Sequence, residues 1–466
     1  MGRFKRLLSN TAILGAGTFI SKVLVFLLMP LYTAYLSSSE FGVADILMQT
    51  ANLIIPIAVV GVTDGLFRFT IDAEPERRKQ VFTISIITLL IGMLPLAILI
   101  QLFGLVSVYQ GYVWLVFFYI CSANLHLVVA NYVRGCDKTK IFAIQGIINT
   151  SLVIIFNVIF LVAFDMGVTG YLLSVVLADF LVSVGLIIFC RLYRDITVKG
   201  INKDLINELF RFSIPYIPLT LMWTITSASD RFVILAVLGD NATAINGLYA
   251  AAYKLPTLIT IAGGIFIKAW HISSVSETDT EERSAFFGNV YKNYLCLMFA
   301  GGACLIAFSK LFTKILLNES YYSSWQYVPI LVVAMVFSAF SEFLGSVYFV
   351  KKRTSRSLVT AAAGAITNII LNFALIPFWG ASGAAIATVI CYALVFFIRI
   401  IDTQKFIRFD IALVKTLINT VLIVAQVIFM VIEIPYWWAY QIGFVAISLV
   451  FNGREVLNSV LKLVKK

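Results

Sequence analysis

The sequence predicts an all-α polytopic membrane protein: about fourteen transmembrane helices, forming two six-helix lobes and two extra helices at the C-terminal end. Three observations carry that expectation. The 466 residues are 61% hydrophobic and only 13% charged, with a mean hydropathy of +0.96, whereas soluble domains are roughly half apolar and a quarter charged. Apolar stretches of about 20 residues, long enough to cross a bilayer, recur from one end to the other. The cations are segregated into alternate connections, as orientation in a membrane requires.

In the first lobe, helices are expected at 9–35, 41–69, 80–104, 111–133, 141–164 and 168–191. In the second they are expected at 210–238, 244–271, 285–309, 324–350, 356–378 and 382–401, with the extra pair at 411–432 and 436–452. Breaking or capping signals close many of these runs, among them Ser37-Ser38-Ser39, Gly239-Asp240, Gly380 and Pro435. The start MGRFKRLLSNTAILGAG has the basic-then-apolar form of a signal peptide, but its apolar run continues through Lys22 to Tyr35 without a cleavage site, so an uncleaved first helix is expected.

Both termini and every even-numbered loop are rich in cations, for example Arg3, Lys5 and Arg6; Arg77, Arg78 and Lys79; and Lys351, Lys352, Arg353 and Arg356. The odd-numbered loops carry only Lys310 and Lys314, beside Glu40, Asp165, Asp240, Glu319 and Glu433. The expectation is an inner-membrane protein with both termini cytoplasmic. The net charge of +11 then reflects topology and contact with lipid headgroups, not a nucleic-acid partner. Tyr321, Tyr322, Trp325 and Tyr327, with Tyr436, Trp437, Trp438 and Tyr440, fall at the expected outer boundaries, where an aromatic belt belongs.

The most polar connection, RLYRDITVKGINKDLINELFRF at 191–212, divides the lobes. The expected organisation is 1–191, a cytoplasmic linker at 192–209, 210–402, and a tail region at 403–466 holding the extra helices. An internal repeat supports the division. Phe41-Gly42 with VADILMQTANLIIP aligns with Asn246-Gly247 and LYAAAYKLPTLIT; GLFRF at 65–69 aligns with GIFIK at 264–268; and Asn157 with GVTG at 167–170 aligns with Asn372 and GASG at 380–383. Six helices per half start both halves on the same side, giving a parallel repeat about an axis along the membrane normal.

These segments also carry a family likeness. NTAILGAGTFISKVLVFLLMPLYTAYLSSSEFGVADIL resembles the opening of bacterial polysaccharide flippases, and GVTDGLFRF is similar to that family's end of the second helix. FRFSIPYIPLT followed by SDRFVILAVLGDNATAINGLYAAAYKLP resembles the start of its second half. The resemblance spans nearly the whole chain and points to the multidrug/oligosaccharidyl-lipid/polysaccharide flippase superfamily. It implies a two-lobed transporter that moves undecaprenyl-diphosphate-linked oligosaccharide from the inner to the outer leaflet by alternating access, for surface polysaccharides such as O-antigen. It also implies a polysaccharide polymerase and glycosyltransferases as partners.

Charges at bilayer depth are the candidate site residues, because a cation there costs roughly 2.5–3.5 kcal/mol on insertion scales and needs a cavity or a partner. Lys22 and Lys254 lie near mid-helix and are candidate contacts for the substrate diphosphate. Lys254 is alternatively a packing lysine that snorkels or pairs with an acid, and Lys22 has Asp45 as an alternative partner. Arg68, four residues after Asp64, is a candidate ligand or gate residue. Adjacent Asp230 and Arg231 point to different helix faces, so each needs its own partner; an outer gate or interlobe pair, substrate contact and local packing are all open. Asp179, nearest mid-helix, then Glu342 and Asp45, are candidates for proton or sodium coupling, or else partners of buried cations. Asn124, His126, Asn149, Asn157, Asn368 and Asn372 read as interhelical hydrogen-bonding groups.

No cofactor and no metal centre is expected. Cys121, Cys136, Cys190, Cys296, Cys304 and Cys391 show no CxxC spacing, and His126 and His271 stand far apart. GAGTFI at 15–20 is not a phosphate loop. Two other classes compete with a flippase. An ion-coupled drug exporter predicts a less cationic cavity than Lys22 and Lys254 suggest. A membrane glycosyltransferase or polymerase needs outer catalytic acids, and the longest outer stretch, about 310–323, offers only Glu319.

Overall fold

The computed structural model describes residue 24 and residues 26–71, 73–276, 280–351 and 353–464. Every regular element among them is helical. Among the described residues nine helices are long and apolar enough to cross a membrane, or ten if the bent pair at 239–254 and 257–267 is one span, so the chain is a multi-pass membrane protein. The first expected helix lies mostly outside the described residues; α1 (Met29–Tyr35) is its end.

The chain divides into two compact units, one up to Ala228 and one from Ser229. The first contains α2 (Ser38–Ala58), α3 (Val62–Thr70), α4 (Pro75–Leu99), α5 (Val113–Gly135), α6 (Thr139–Asn157), α7 (Gly167–Phe189) and α8 (Lys203–Ser213). The division falls inside α9 (Tyr216–Val237), downstream of the 192–209 connection.

Helix α2 opens where the serine run predicted, with a reciprocal capping box: Glu40 N donates to Ser37 Oγ at 3.3 Å and Ser37 N donates to Glu40 Oε2 at 2.9 Å. The expected single helix 41–69 is in fact broken. Val60 and Gly61 take positive φ values of 52° and 64°, and α3 starts anew after them. The break has a packing cause, because a Cβ at Gly61 would lie 2.8 Å from Ser213 O. Helix α5 clasps the freed segment: Arg134 lies 4.2 Å over the Phe67 ring, and Asn131 Nδ2 donates to Thr63 O at 3.3 Å.

The 192–209 connection is a strap held to this unit rather than a free linker. Tyr132 Oη donates to Asp195 Oδ2 at 3.0 Å, Thr197 N to Thr83 Oγ1 at 2.9 Å, and Gln80 Nε2 to Lys199 O at 3.2 Å. Helix α8 then buries Leu205, Leu209 and Ser213. Between α2 and α4 the backbones approach so closely that a Cβ on Gly92 would lie 1.9 Å from Ala58 O. Gly92→Ala should therefore destabilise the unit by about 1–3 kcal/mol, the usual cost of overpacking, read as a lower unfolding temperature in detergent; an unchanged melt would show that the helices separate freely.

The second unit contains α10 (Ala242–Lys254), α11 (Thr257–Ser276), α12 (Thr280–Ala307), α13 (Ser309–Leu316), α14 (Val328–Val350), α15 (Thr354–Thr403), α16 (Leu413–Val431) and α17 (Trp437–Val464). Its second expected helix is broken as well: α10 and α11 meet at 43° across Leu255-Pro256, because proline cannot donate to the helix ladder. The helices expected at 356–378 and 382–401 run together as α15, kinked at Gly380, whose φ of 54° and ψ of −138° suit glycine.

The extra pair is hydrogen-bonded through much of its depth. Gln426 Nε2 donates to Ala303 O and to Gln441 Oε1, both at 2.9 Å. Asn419 and Asn452 exchange donors at 3.1 and 2.7 Å, and Lys415 Nζ meets Glu455 Oε1 at 2.7 Å. At one end Lys310 pairs with Glu433 while its ammonium lies 4.0 Å over Trp325 and 4.2 Å over Trp437. Amide pairs of this kind tie helices together where lipid offers no alternative partner.

Candidate functional sites

In the second unit, Asp230 is fully buried. Its Oδ2 accepts from Tyr249 Oη at 2.6 Å and Thr388 Oγ1 at 2.9 Å, and its Oδ1 accepts from Asn372 Nδ2 at 2.9 Å. Asn372 Nδ2 also reaches Asn368 Oδ1 at 3.1 Å, and Ser229 Oγ hydrogen-bonds the same Asn368 oxygen. Asn368 and Asn372 stand one turn apart on α15, so their amides share a face. Thr388 Oγ1 lies 3.0 Å from Ala384 O.

This is an oxygen-rich cluster around one carboxylate, and two of its polar atoms, Asn372 Oδ1 and Asn368 Nδ2, are buried without a partner among the described residues. Carboxylate, amide carbonyl and hydroxyl oxygens are the ligands hard cations take, and an orphaned amide oxygen beside a carboxylate is what such an ion would satisfy. The oxygens here are of the type a hard cation takes, while Asn368 Nδ2 is an amide donor and is not such a ligand. No group of three or more His, Cys, Asp or Glu side chains among the described residues suits a transition metal.

Arg231 and Asp230 both reach Tyr249, the carboxylate at its hydroxyl and the guanidinium over its ring. Arg231 is buried, with its guanidinium 4.6 Å over Tyr253 and 5.6 Å over Tyr249. The partners of Asp230 named above all belong to the second unit, so the structure makes it an internal group of that unit. Lys254 is half-buried at the α10–α11 break, not in mid-helix, and its carbonyl accepts from Thr257 Oγ1 at 2.5 Å. A lysine at a proline break sits beside backbone that already needs polar company. Lys22 lies outside the described residues.

The first unit has its own buried cluster, built from α5, α6 and α7. Asp179 Oδ1 accepts from Asn149 Nδ2 at 2.8 Å and faces His126 Nδ1 at 3.0 Å. The other ring nitrogen of His126 lies 2.7 Å from Gln145 Oε1. Asp179 is thus joined to a histidine that the sequence marked only as a hydrogen-bonding group. Asp45 is half-buried and accepts from Gln49 Nε2 at 3.5 Å. Asp64 and Arg68 are both exposed and form no ion pair with each other; Arg68 lines a cavity of about 610 Å³.

One charged residue escaped the sequence reading. Arg399 has the largest fully buried side chain among the described residues, at 1% exposure. Its Nε donates to Thr360 Oγ1 at 2.9 Å, one terminal nitrogen to Ser341 O at 2.7 Å, and the other to Ser357 Oγ at 3.4 Å. Glu342 is itself exposed, but its carboxylate is in electrostatic range of Arg399, which gives it a buried cation to balance.

Comparison with known proteins agrees with this architecture. The model of a family described as polysaccharide biosynthesis proteins matches residues 7–270, more than half of the chain, and the chain belongs to that family. No curated protein sequence matches it significantly. Among solved structures it is similar to the lipid II flippase MurJ in an inward closed conformation, with a TM-score of 0.70 and 13% identity over 97% of this chain and 100% of that one. An inward-facing multidrug resistance MATE family transporter of the MOP superfamily gives 0.68 at 15% identity, covering 82% and 94%. A MOP superfamily transporter from Pyrococcus furiosus, titled for the reverse polarity of its binding pocket, gives 0.59 at 15% identity, covering 85% and 95%. At such identities the likeness establishes a shared fold.

Proposed function

We propose that this protein is a flippase that carries undecaprenyl-diphosphate-linked glycan units across the inner membrane for surface polysaccharide synthesis, upstream of a polymerase. The observation that carries this reading is a cation at a broken membrane helix. Lys254 sits where α10 gives way at Pro256, in a chain of the polysaccharide biosynthesis family. A compact ammonium at membrane depth suits a diphosphate that must leave water and remain mobile. Lys254→Ala should abolish surface polysaccharide while the protein stays in the membrane, and Lys254→Arg should retain part of it. Normal export by the alanine variant would remove Lys254 from the site; loss of drug resistance instead of polysaccharide would favour a multidrug exporter.

The Asp230 cluster supports coupling to a monovalent cation such as sodium. Asp230, Asn368, Asn372 and Thr388 would hold it, and the ion would supply positive charge to a carboxylate buried at full depth. Asp179, paired with His126, is the alternative coupling group, for protons.

A further inference from the structure

Helix α8 separates two cavities of the first unit. Its buried stripe packs on α3, where a Cβ at Gly65 would lie 2.2 Å from Ser213 Oγ and 2.9 Å from Leu209 Cδ1. Close packing there turns Phe212 to one side and Phe210 to the other. On the Phe212 side is the 610 Å³ cavity, lined also by Arg68, Arg77, Glu74 and Glu208. On the Phe210 side an apolar groove of about 570 Å³ runs between α2 and α4, walled by Ile54, Ile57, Ile91, Leu99 and Phe103. Along α4 the groove runs from Thr88 to Leu99, about 16 Å at helical rise, and continues past its end to Phe103. Both volumes lie in the range of ligand sites.

The polar cavity holds two cations and two acids, unequally engaged. Arg77 is held by Glu208 at 2.8 Å, whereas Arg68 is exposed and pairs with no carboxylate among the described residues. A ligand here meets a free guanidinium, a second one that a stronger anion can win from Glu208, and, past one helix, a long apolar slot.

We propose that the two cavities are the head and tail halves of one docking site for a polyprenyl diphosphate, with the diphosphate on Arg68 and Arg77 and the isoprenoid chain in the α2–α4 groove. The proposal rests on the flippase reading and adds to it a loading position in the first unit, separate from Lys254 in the second. Two phosphoryl groups match two forked guanidinium donors. The groove along α2 and α4 is apolar and elongated, as an isoprenoid chain requires. The rim acids set the selectivity: an anion must carry enough charge to displace Glu208, and a phosphodiester carries less than a diphosphate.

The test is binding of undecaprenyl diphosphate to the full chain in phosphatidylcholine nanodiscs. Arg68→Ala should weaken it about tenfold, the scale of one lost charge-assisted contact. Ile91 is 61% exposed, so Ile91→Trp should fold while filling the groove; it should weaken undecaprenyl diphosphate about tenfold and leave inorganic diphosphate unaffected. Glu208→Gln, which releases Arg77, should tighten binding several-fold, a sign that a purely structural role would not produce. Wild-type affinity in both Arg68→Ala and Ile91→Trp overturns the proposal, as does equal displacement by phosphatidylglycerol, which would mark a general lipid site. Lys254→Ala separates the two readings. If it alone loses binding, the docking site is wrong and the flippase stands; if the unaltered chain binds no undecaprenyl diphosphate, both fall.

Discussion

Asp230→Asn is expected to leave a folded protein whose transport falls at least tenfold, about 1.4 kcal/mol of lost driving interaction, and whose stability no longer responds to sodium. The carboxylate accepts from Tyr249, Thr388 and Asn372 at full burial. Asparagine keeps its shape and one carbonyl oxygen, and the two hydroxyls can rotate to accept from the new amide. What disappears is the negative charge. A ligand that binds only the native state stabilises it by RT ln(1 + [L]/Kd), about 2.7 kcal/mol at a hundred times Kd. The unaltered protein should therefore melt higher in sodium chloride than in choline chloride, and the asparagine variant should not. Asp230→Ala is the harsher change. It takes the carboxylate acceptor from the buried Tyr249 hydroxyl, at about 1–3 kcal/mol, and one of two acceptors from each of Thr388 and Asn372, so it should melt below the asparagine variant. An undiminished sodium-dependent shift in Asp230→Asn would move the coupling site elsewhere, with the Asp179–His126 pair next in line.

The sequence made the helices legible because bilayer-spanning apolar runs and loop cations are strong, local signals. It led us to expect separate partners for Asp230 and Arg231, whereas both contact Tyr249. The partners themselves were not legible. Asn368 and Asn372 are one turn apart, but that spacing fits any interhelical contact, and Thr388 sits inside the bland GASGAAIAT run. The breaks were half visible: Pro256 announces one, whereas the turn at Val60-Gly61 depends on Ser213, some 150 residues later. The strap at 192–209 reads as a linker because its anchors are backbone groups and single hydroxyls, such as Thr83 Oγ1, which leave no pattern in composition. Arg399 was missed for a related reason. RIID at the end of an apolar run looks like a flank facing water, and nothing local says that the side chain turns back into the unit.

Arg399 is also where the largest loss of stability is expected. Its planar fork joins Ser341 on α14 to Ser357 and Thr360 on α15, so one side chain fastens two helices at three points. Gly345 is part of the arrangement, because a Cβ there would lie 2.8 Å from one terminal nitrogen. Arg399→Ala removes the cation, opens a void and leaves the Ser341 carbonyl without this donor; breaking a buried charged network of this kind costs about 3–5 kcal/mol. Arg399→Lys should recover only part of it, since an ammonium on a flexible stem cannot occupy three donor directions fixed by a guanidinium plane. Gly345→Ala should destabilise in the same direction by crowding the fork. Paired with Arg399→Ala, it should add little further loss, because the two changes act on one contact. Thermal unfolding in detergent reads all four proteins. Full additivity of the pair, or an unaltered melt for Arg399→Lys, would mean that the charge is balanced by Glu342 alone and that the fork geometry does not matter.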